Sequence, residues 1–406
     1  MKFGVFEILI PLLWPLLPYS IRYRLTLLIE NFRTRAKIEI PDSKVQIFSG
    51  SKEIKEFFPN SIDLPSEIRV NSNLDFSLVV SCKGEKDTID DFLKSIALQS
   101  HRPSELIICD AGGEDEVRDC VYSWSEANQD VSVNYFVEKN INIAVARNLG
   151  VGKARQNIIA FADLGTKLDI NWAKNLLLPM SDSSIDCSMG WYKVAGDAPW
   201  QVQIKRFLVP QLRQMDLKKF LPSTRSLAIR KTAFEKVGGF LENLTLAAED
   251  SLFGYAMKVK GVSLAFSPDA IVEWKLPDRI LPMWRKIFNY SRGDAETGFL
   301  FWKHYFDLFS EFFKALVEIS ILLFVFLIFE FLYTISWCHF FVLAFLLVAV
   351  RAFFYFKRFG ALGENPFFRI LALSILSSAQ LSGFIRGLLS LRSNKELLNL
   401  YKHDFT

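Results

Sequence analysis

The sequence contains few of the residues that build metal centres or disulfide scaffolds. It has five cysteines and four histidines among 406 residues, and neither set shows the close, regular spacing of a zinc site. The cysteines are odd in number and mostly lie in apolar runs that resemble strands, a pattern typical of a reducing cytosol. We therefore expect neither a zinc site nor disulfides.

The sequence also lacks a large excess of charge of either sign. The formal net charge is +4, from 48 Lys and Arg against 44 Asp and Glu. No stretch combines a basic cluster with aromatic residues that would stack on bases. Nucleic acid is therefore not an expected partner.

Long apolar runs are concentrated near the carboxyl end. Residues 315–337 and 338–356 are each long enough to cross a bilayer as a helix, which takes about 20 residues. They predict a transmembrane hairpin within a membrane domain, residues 302–406, with the basic residues that follow on the cytoplasmic side. The run 370–389 is predicted as a third spanning helix or an interfacial one. The interfacial form is favoured, because spanning would export the basic residues after it.

Residues 1–37 combine an apolar stretch, interrupted by prolines, with a group of arginines that follows it. This order is typical of an amphipathic segment that lies in the membrane interface against anionic lipid. Residues 38–75 are interpreted as an adaptor. Membrane lipid is therefore an expected partner, and we predict a cell-membrane protein whose remaining domain is cytoplasmic.

Strand and helix signals alternate between residues 76 and 301. The predicted strands include 78–80, 106–109, 131–137 and 158–162, and the predicted helices include 143–155 and 171–178. Such alternation is typical of an α/β fold with a mostly parallel, Rossmann-like sheet. We therefore predict one α/β domain over residues 76–301.

Two carboxylates follow predicted strands directly. Asp110 comes after 106–109, and Asp163 comes after 158–162. In a parallel sheet both lie at the carboxyl edge, where open α/β folds bind ligands. Asp110 would bind a base or ribose, and Asp163 would lie near a diphosphate and hold Mg²⁺ or Mn²⁺. Both also begin runs of turn-forming residues, so plain turns are the alternative.

A further acidic pair, Glu249-Asp250, opens an amphipathic pattern. The positive end of a helix stabilises an ionised carboxylate, which can accept a proton from a hydroxyl group. The alternative is that the pair only caps the helix. We interpret Asp250 as a candidate general base.

Five segments, in order, resemble the family 2 glycosyltransferases and their nucleotide-sugar-binding fold, GT-A. They are 78–84 (LVVSCKG), 107–113 (IICDAGG), 142–150 (NIAVARNLG), 161–165 (FADLG) and the pair 249–250. The resemblance covers about residues 76–300. It implies a nucleotide-sugar donor, with Asp250 as catalytic base, Asp110 at the nucleoside and Asp163 as metal ligand. The other donor or substrate residues that it implies are Ser81, Lys83, Gly112, Arg147, Glu249 and Arg292.

Four more segments resemble a bacterial and archaeal branch of membrane-attached members with an Asp-Ala-Gly type of metal motif. They are 222–226 (PSTRS), 238–240 (GGF), 268–274 (PDAIVEW) and 290–294 (YSRGD). Arg292 follows a helix predicted at 280–290. It either caps the carboxyl end of that helix or clamps a phosphate or the acceptor.

The sequence departs from the family's metal motif at two positions. Gly165 stands where the family usually has a second Asp, and Trp274 stands at about the position of a metal-binding His. Either Asp163, the diphosphate and waters hold a loosely bound Mg²⁺, or cations such as Arg292 and Arg285 share the phosphate charge. The first alternative is favoured.

The predicted function is inverting transfer of a sugar to a lipid-linked glycan or polysaccharide acceptor at the cytoplasmic membrane face, in cell-envelope polysaccharide biosynthesis. One alternative is a catalytically degenerate partner subunit that binds nucleotide sugars. The departures from the metal motif at Gly165 and Trp274 favour it. The other is a processive polysaccharide synthase. Against it, the Gln-x-x-Arg-Trp type of motif of such synthases is missing around residues 283–290.

Overall fold

The computed structural model describes residues 41–63, 74–209, 212, 215–242, 247–297, 327, 342 and 366–389. The strands are β1 (Val45–Ser49), β2 (Ile62–Asp63), β3 (Phe76–Cys82), β4 (Glu105–Asp110), β5 (Ser132–Val137), β6 (Ile158–Phe161), β7 (Thr166–Leu168), β8 (Cys187–Ala195), β9 (Leu227–Arg230) and β10 (Leu264–Lys275). The helices are α1 (Lys52–Phe57), α2 (Ile89–Ala97), α3 (Asp115–Ala127), α4 (Ile143–Lys153), α5 (Trp172–Leu177), α6 (Pro199–Leu208), α7 (Lys231–Val237), α8 (Glu249–Val259), α9 (Ile280–Thr297) and α10 (Pro366–Leu389).

One mostly parallel sheet organises these elements. Its strand order is β2-β1-β10-β8-β9-β6-β3-β4-β5, and β7 pairs with β10. Neighbours along this order are parallel, except that β9 runs antiparallel to both β6 and β8. The predicted α/β class with a mostly parallel sheet is confirmed. Strand β9 was not among the predicted strands.

Helices cover both faces of the sheet, so its central strands are mostly apolar. Successive side chains of a strand point to opposite faces. Leu78 and Val80 accordingly join one core cluster with Phe92 of α2, whereas Val79 joins a second cluster with Phe253 of α8. The carboxyl ends of the central strands therefore emerge between two buried layers.

A third apolar cluster joins α9 to α10. Met283 and Ile287 of α9 pack with Ile375 and Leu376 of α10, and α6 contributes Trp200. The two helices approach closely at two glycines. A Cβ atom at Gly383 would lie 2.2 Å from the Phe288 carbonyl oxygen, and one at Gly387 would lie 2.4 Å from that of Arg292. Glycine is required at such close backbone approaches.

Helix α9 is longer than the predicted 280–290. It continues to Thr297, so Arg292 lies inside the helix and does not cap its end. Arg292 donates from Nε to Glu296 Oε1 (3.0 Å), one turn further on. Gly293 is needed because its Cβ would lie 2.6 Å from the Ala247 carbonyl oxygen. The predicted end of the helix at residue 290 was wrong, and Gly293 serves close packing inside the helix.

Among the described helices, none has both the length and the apolar character that crossing a membrane requires. The run 370–389 lies within α10, which packs on α9. The predicted spans 315–337 and 338–356 fall outside the described residues, apart from Leu327 and Val342. The predicted interfacial segment 1–37 falls outside them as well, and these assignments stay predictions.

Replacing Gly383 by Ala should weaken the contact between α9 and α10. The added methyl group meets the backbone of α9, and we expect the free energy of unfolding to fall by about 1–3 kcal/mol, with faster amide exchange in α10. Gly152→Ala in α4 is the control, because a Cβ there meets nothing within 4 Å. If denaturant unfolding shows that both substitutions lower the free energy of unfolding equally, the close packing of α10 on α9 at Gly383 is contradicted.

Candidate active site

The candidate site lies at the carboxyl ends of β3, β4 and β6. Asp110 is the last residue of β4, and Asp163 follows β6 after one intervening residue. The loop after β3 carries Glu85, and α8 begins with Glu249 and Asp250. This edge of a parallel sheet is where α/β folds bind ligands.

Asp110 shapes the loop that follows its own strand. Its Oδ1 accepts hydrogen bonds from the amides of Gly112 and Gly113, both at 2.8 Å, and its Oδ2 accepts one from the Tyr135 hydroxyl at 2.6 Å. The side chain is only 1% exposed. Gly113 has a φ of +72°, so the loop depends on glycine there. In this structure Asp110 is buried and holds the loop in place, and its predicted role at the nucleoside stays a prediction.

Arg147 connects two of the predicted acidic residues. From α4 it donates through Nη1 to Glu249 Oε1 (2.6 Å) and through Nη2 to Asp163 Oδ1 (2.8 Å). Its side chain is 3% exposed. Burial opposes its charge, but Asp163 and Glu249 outweigh burial and raise the pKa of Arg147. The resemblance implied a role for Arg147 toward the donor or substrate. In this structure its guanidinium binds two carboxylates of the protein, and the implied role stays a prediction.

The same ion pairs and burial change the pKa values of Asp163 and Glu249. Burial would raise the pKa of Asp163, but Arg147, Arg225 and Lys286 outweigh it and lower that pKa. Burial dominates at Glu249 and raises its pKa despite Arg147. Asp163 is therefore held as an anion, with 30% of its side chain exposed.

Arg225 is a central residue of the site that the sequence analysis did not select. Its Nε lies 3.5 Å from Asp163 Oδ2, and its Nη2 donates to the Tyr290 hydroxyl at 2.8 Å. The guanidinium carbon lies 4.7 Å from the centroid of the Trp274 ring and 5.3 Å from that of Tyr192. The resemblance of 222–226 to the branch motif was the only signal that could have found it.

Asp250 connects to this cluster through Ser223. The Ser223 hydroxyl donates to Asp250 Oδ2 at 3.3 Å and accepts a hydrogen bond from Arg225 Nη1 at 3.2 Å. Asp250 is partly exposed in the first turn of α8. Ala248, just before that helix, has a φ of +74°, a conformation rare for a residue with a side chain. Such strain is often found at functional sites.

Lys286 of α9 and Glu85 complete the site, and neither was predicted. The Lys286 ammonium lies 4.6 Å from the centroid of the Trp274 ring. Burial first and then Arg225 lower the pKa of Lys286 to about 8, although Asp163 and Glu85 oppose the shift. Burial raises the pKa of Glu85, and Asp163 and Asp110 raise it further. Glu85 therefore interacts electrostatically with both predicted carboxylates, Asp163 and Asp110.

The remaining predicted residues are placed as follows. Arg292 pairs with Glu296, and Arg285 is exposed on α9. Ser81 lies in β3 beside Cys109 of β4. The Lys83 amide donates to Glu85, and the Gly112 amide donates to Asp110. Their predicted roles toward a donor stay predictions.

Comparison with known proteins gives a family match for part of the chain. Residues 77–238 match the family model described as glycosyl transferase family 2. The match includes the segment from β3 through α7 and contains Asp110, Arg147, Asp163 and Arg225. The mixed α/β sheet is consistent with GT-A.

Curated relatives are distant. The poly-beta-1,6-N-acetyl-D-glucosamine synthase of Staphylococcus aureus (strain MSSA476) is 19% identical over 252 residues, which are 58% of this chain and 58% of the relative. The O-antigen chain rhamnosyltransferase RfbN of Salmonella typhimurium (strain LT2) is 27% identical over 192 residues, 44% of this chain and 60% of the relative. The chain thus spans less than two thirds of the length of these relatives.

One solved structure shares the fold over most of the chain. The mannosyltransferase PcManGT from Pyrobaculum calidifontis, in complex with GDP-Man and Mn²⁺, has a TM-score of 0.54 and 14% identity. The match covers 90% of this chain and 96% of that protein. At this identity the likeness concerns the fold.

The side chains around Asp163 do not fit a divalent cation. Gly165 has no side-chain ligand atom, and the Trp274 indole nitrogen is a donor only. Both Asp163 oxygens face guanidinium groups, from Arg147 and Arg225. Within the described ranges, no group of three or more His, Cys, Asp or Glu side chains could hold a metal ion.

Arg147→Met should destabilise the protein strongly. It leaves Glu249 buried and Asp163 half-buried without their shared partner, and breaking a buried pair typically costs about 3–5 kcal/mol. Denaturant unfolding measures the change. Arg118→Met is the matched control, because Arg118 pairs with exposed Asp115 and Asp119 on α3. The control should cost less than about 1 kcal/mol, and similar losses in both variants would refute the buried bridge.

The stability difference between the wild type and Lys286→Met should depend on pH. The folded-state pKa of about 8 lies below the ordinary value of 10.5, so the unfolded chain holds more protons between these two values. The wild type should therefore gain stability relative to Lys286→Met as pH rises from 7 to 9.5. Unfolding experiments across this range test it. Lys94→Met is the control, at an exposed residue paired with Asp90, and it should show no such gain. If the difference in free energy of unfolding between the wild type and Lys286→Met does not change with pH, the pKa of Lys286 is not lowered.

Proposed function

We propose that this chain is an inverting glycosyltransferase that moves a sugar from a nucleotide diphosphate sugar to an acceptor hydroxyl group. The observation that carries the proposal is the continuous polar connection from Asp250 through Ser223 and Arg225 to Asp163. It joins a partly exposed carboxylate at a helix start to a cationic cluster at the carboxyl edge of the sheet. These are the two functions that sugar transfer requires, a base and a group that stabilises a departing diphosphate.

Asp250 is the proposed general base. It lies in the first turn of α8, at the positive end of the helix dipole. Glu249 is less suited, because it is buried and already binds Arg147. Asp250 would take the proton of the acceptor hydroxyl as its oxygen attacks the anomeric carbon. Attack from the side opposite the diphosphate inverts the configuration.

The nucleoside is proposed to bind beside the loop that Asp110 organises. Gly112 and Gly113 keep this loop free of side chains, and Lys139 lies against Gly113, 2.7 Å from the position of a Cβ there. A small, glycine-rich turn leaves space for a flat base or a ribose. A nucleotide diphosphate sugar is also what the Pyrobaculum mannosyltransferase of the same fold holds.

The acceptor is proposed to be a lipid-linked glycan or a growing polysaccharide at the cytoplasmic membrane face. Two observations support it: the relatives named above act in polysaccharide or O-antigen chain synthesis, and the sequence has apolar runs at 315–356. The synthase relatives also support a second candidate, a processive synthase. Product length separates the two: single transfer adds one sugar, whereas a synthase makes a long polymer.

The family resemblance adds Mg²⁺ or Mn²⁺ at Asp163, and the Pyrobaculum enzyme was solved with Mn²⁺. Such an ion would neutralise the charge that builds on the diphosphate. The side chains found around Asp163 in this chain argue against that part of the resemblance.

Asp250→Asn should abolish transfer while leaving donor binding intact. The amide keeps the size of the side chain but cannot accept the proton, and we expect turnover to fall by about 10²–10⁴-fold. Binding is measured as thermal stabilisation by nucleotide sugars, and turnover by donor hydrolysis and transfer. Asp182→Asn, at an exposed residue before β8, is the control and should change neither.

Two results would overturn this assignment. Full turnover of Asp250→Asn would remove Asp250 as the base. Donor binding without hydrolysis or transfer by the wild type, unchanged by Asp250→Asn, would favour a nucleotide-sugar-binding partner subunit.

A further inference from the structure

We propose that Arg225 and Lys286 neutralise the donor diphosphate in this chain in place of a divalent cation, so that nucleotide binding and transfer are independent of metal. This inference rests on the proposed function, because it concerns the same donor. It assigns new roles to two residues of the site and predicts a property in which this chain departs from the family pattern.

The first argument is that Arg225 occupies the position that a metal ion would need. Its Nε is 3.5 Å from Asp163 Oδ2, and Arg147 takes the other oxygen at 2.8 Å. An ion bound to Asp163 would lie next to two fixed cations. Like charges repel strongly at such distances away from bulk water.

The second argument is that Arg225 has contacts that do not depend on Asp163. It donates to the Tyr290 hydroxyl and to Ser223 Oγ, and its guanidinium faces the Trp274 ring at 4.7 Å. Its side chain is 15% exposed. An incoming metal ion would have to break these contacts as well, so the arginine is a permanent part of the site.

The third argument concerns the two positions at which the metal motif is lost. The Trp274 side chain has no ligand atom, but its ring lies near both cations, 4.7 Å from the Arg225 guanidinium and 4.6 Å from the Lys286 ammonium. An aromatic face attracts cations in this way. A Cβ at Gly165 would meet nothing within 4 Å, so the space is open but supplies no ligand. Trp274, which stands at about the position of the family's metal-binding histidine, thus contacts two cationic side chains through its ring.

The fourth argument is that Lys286 is a half-buried cation beside the Trp274 ring whose charge is not fully compensated. Asp163 and Glu85 favour its charged form, but burial and Arg225 prevail against it. A bound diphosphate would supply the missing negative charge. Arginine binds phosphate oxygens through a planar pair of donors, and lysine binds them as a point charge. The pair therefore offers what an anionic diphosphate requires.

The test measures binding of UDP and GDP to the purified full chain by calorimetry, after treatment with a chelating resin and again with added Mg²⁺ or Mn²⁺. We expect one of the two diphosphates to bind with an affinity that metal changes by less than about twofold. Mn²⁺ titrated into the complex should bind no more tightly than it binds the free nucleotide. Transfer should survive EDTA.

Variants assign the effect to residues. Lys286→Met should weaken binding of the nucleoside diphosphate by about tenfold, the loss expected for a charge-assisted hydrogen bond, and should weaken binding of the corresponding monophosphate less. Arg225→Lys should have the same selective effect while keeping a positive charge near Asp163. Lys275→Met is the matched control, because Lys275 is exposed at the end of β10 and pairs with Asp278. It should alter affinity by less than about twofold.

The outcomes are distinguishable. If a diphosphate binds only when Mg²⁺ or Mn²⁺ is present, metal independence is overturned and the proposed function stands. If binding without metal is unchanged in Lys286→Met and in a folded Arg225→Lys, these residues are not the diphosphate ligands. If no nucleotide or nucleotide sugar binds under any condition, the proposed function itself fails, and this inference fails with it.

Discussion

The carboxylate of Asp163 lies between the guanidinium groups of Arg147 and Arg225, and this contact determines how the rest of the site is arranged. Arg147 comes from α4, Arg225 from the segment before β9, and Glu249 from the start of α8. Three separate parts of the chain thus meet at the end of β6. The charges are largely buried, so they must remain paired to be tolerated.

The site also depends on helix α9, which contributes Tyr290 and Lys286. This helix is held closely on two sides. Gly293 brings its backbone against Ala247, directly before the strained Ala248 and the start of α8. Gly383 and Gly387 bring α10 against it elsewhere. A shift of α9 would therefore move the cation Lys286 and disturb the segment that carries Asp250. The packing of α10 on α9 therefore helps to fix the positions of the site residues that α9 carries.

The family motifs and the local contacts support different conclusions about how the negative charge of a diphosphate would be neutralised. The match to glycosyl transferase family 2 covers residues 77–238, which include the strands and loops of the candidate site. In the described region, however, the residue at the expected metal position is engaged by arginines, and Trp274 lies beside Arg225 and Lys286. A fold can be kept while the way in which it neutralises a phosphate group changes, because function depends on a few side chains and not on the sheet.

The sequence by itself determined the alternation of strands and helices, the α/β class, and the positions of Asp110, Asp163 and Asp250 at strand ends and a helix start. These features follow from local patterns: apolar runs, turn residues and acidic residues at helix starts are readable over a few positions. Only the tertiary structure decided which partners these residues have. It placed Asp110 against its own loop, made Arg147 an internal bridge, and kept Arg292 inside a helix. It also brought Arg225, Lys286 and Glu85 into the site. Those contacts join residues far apart in the sequence, 102 positions for Arg147 and Glu249, and no local pattern records which distant charges will meet in a buried space.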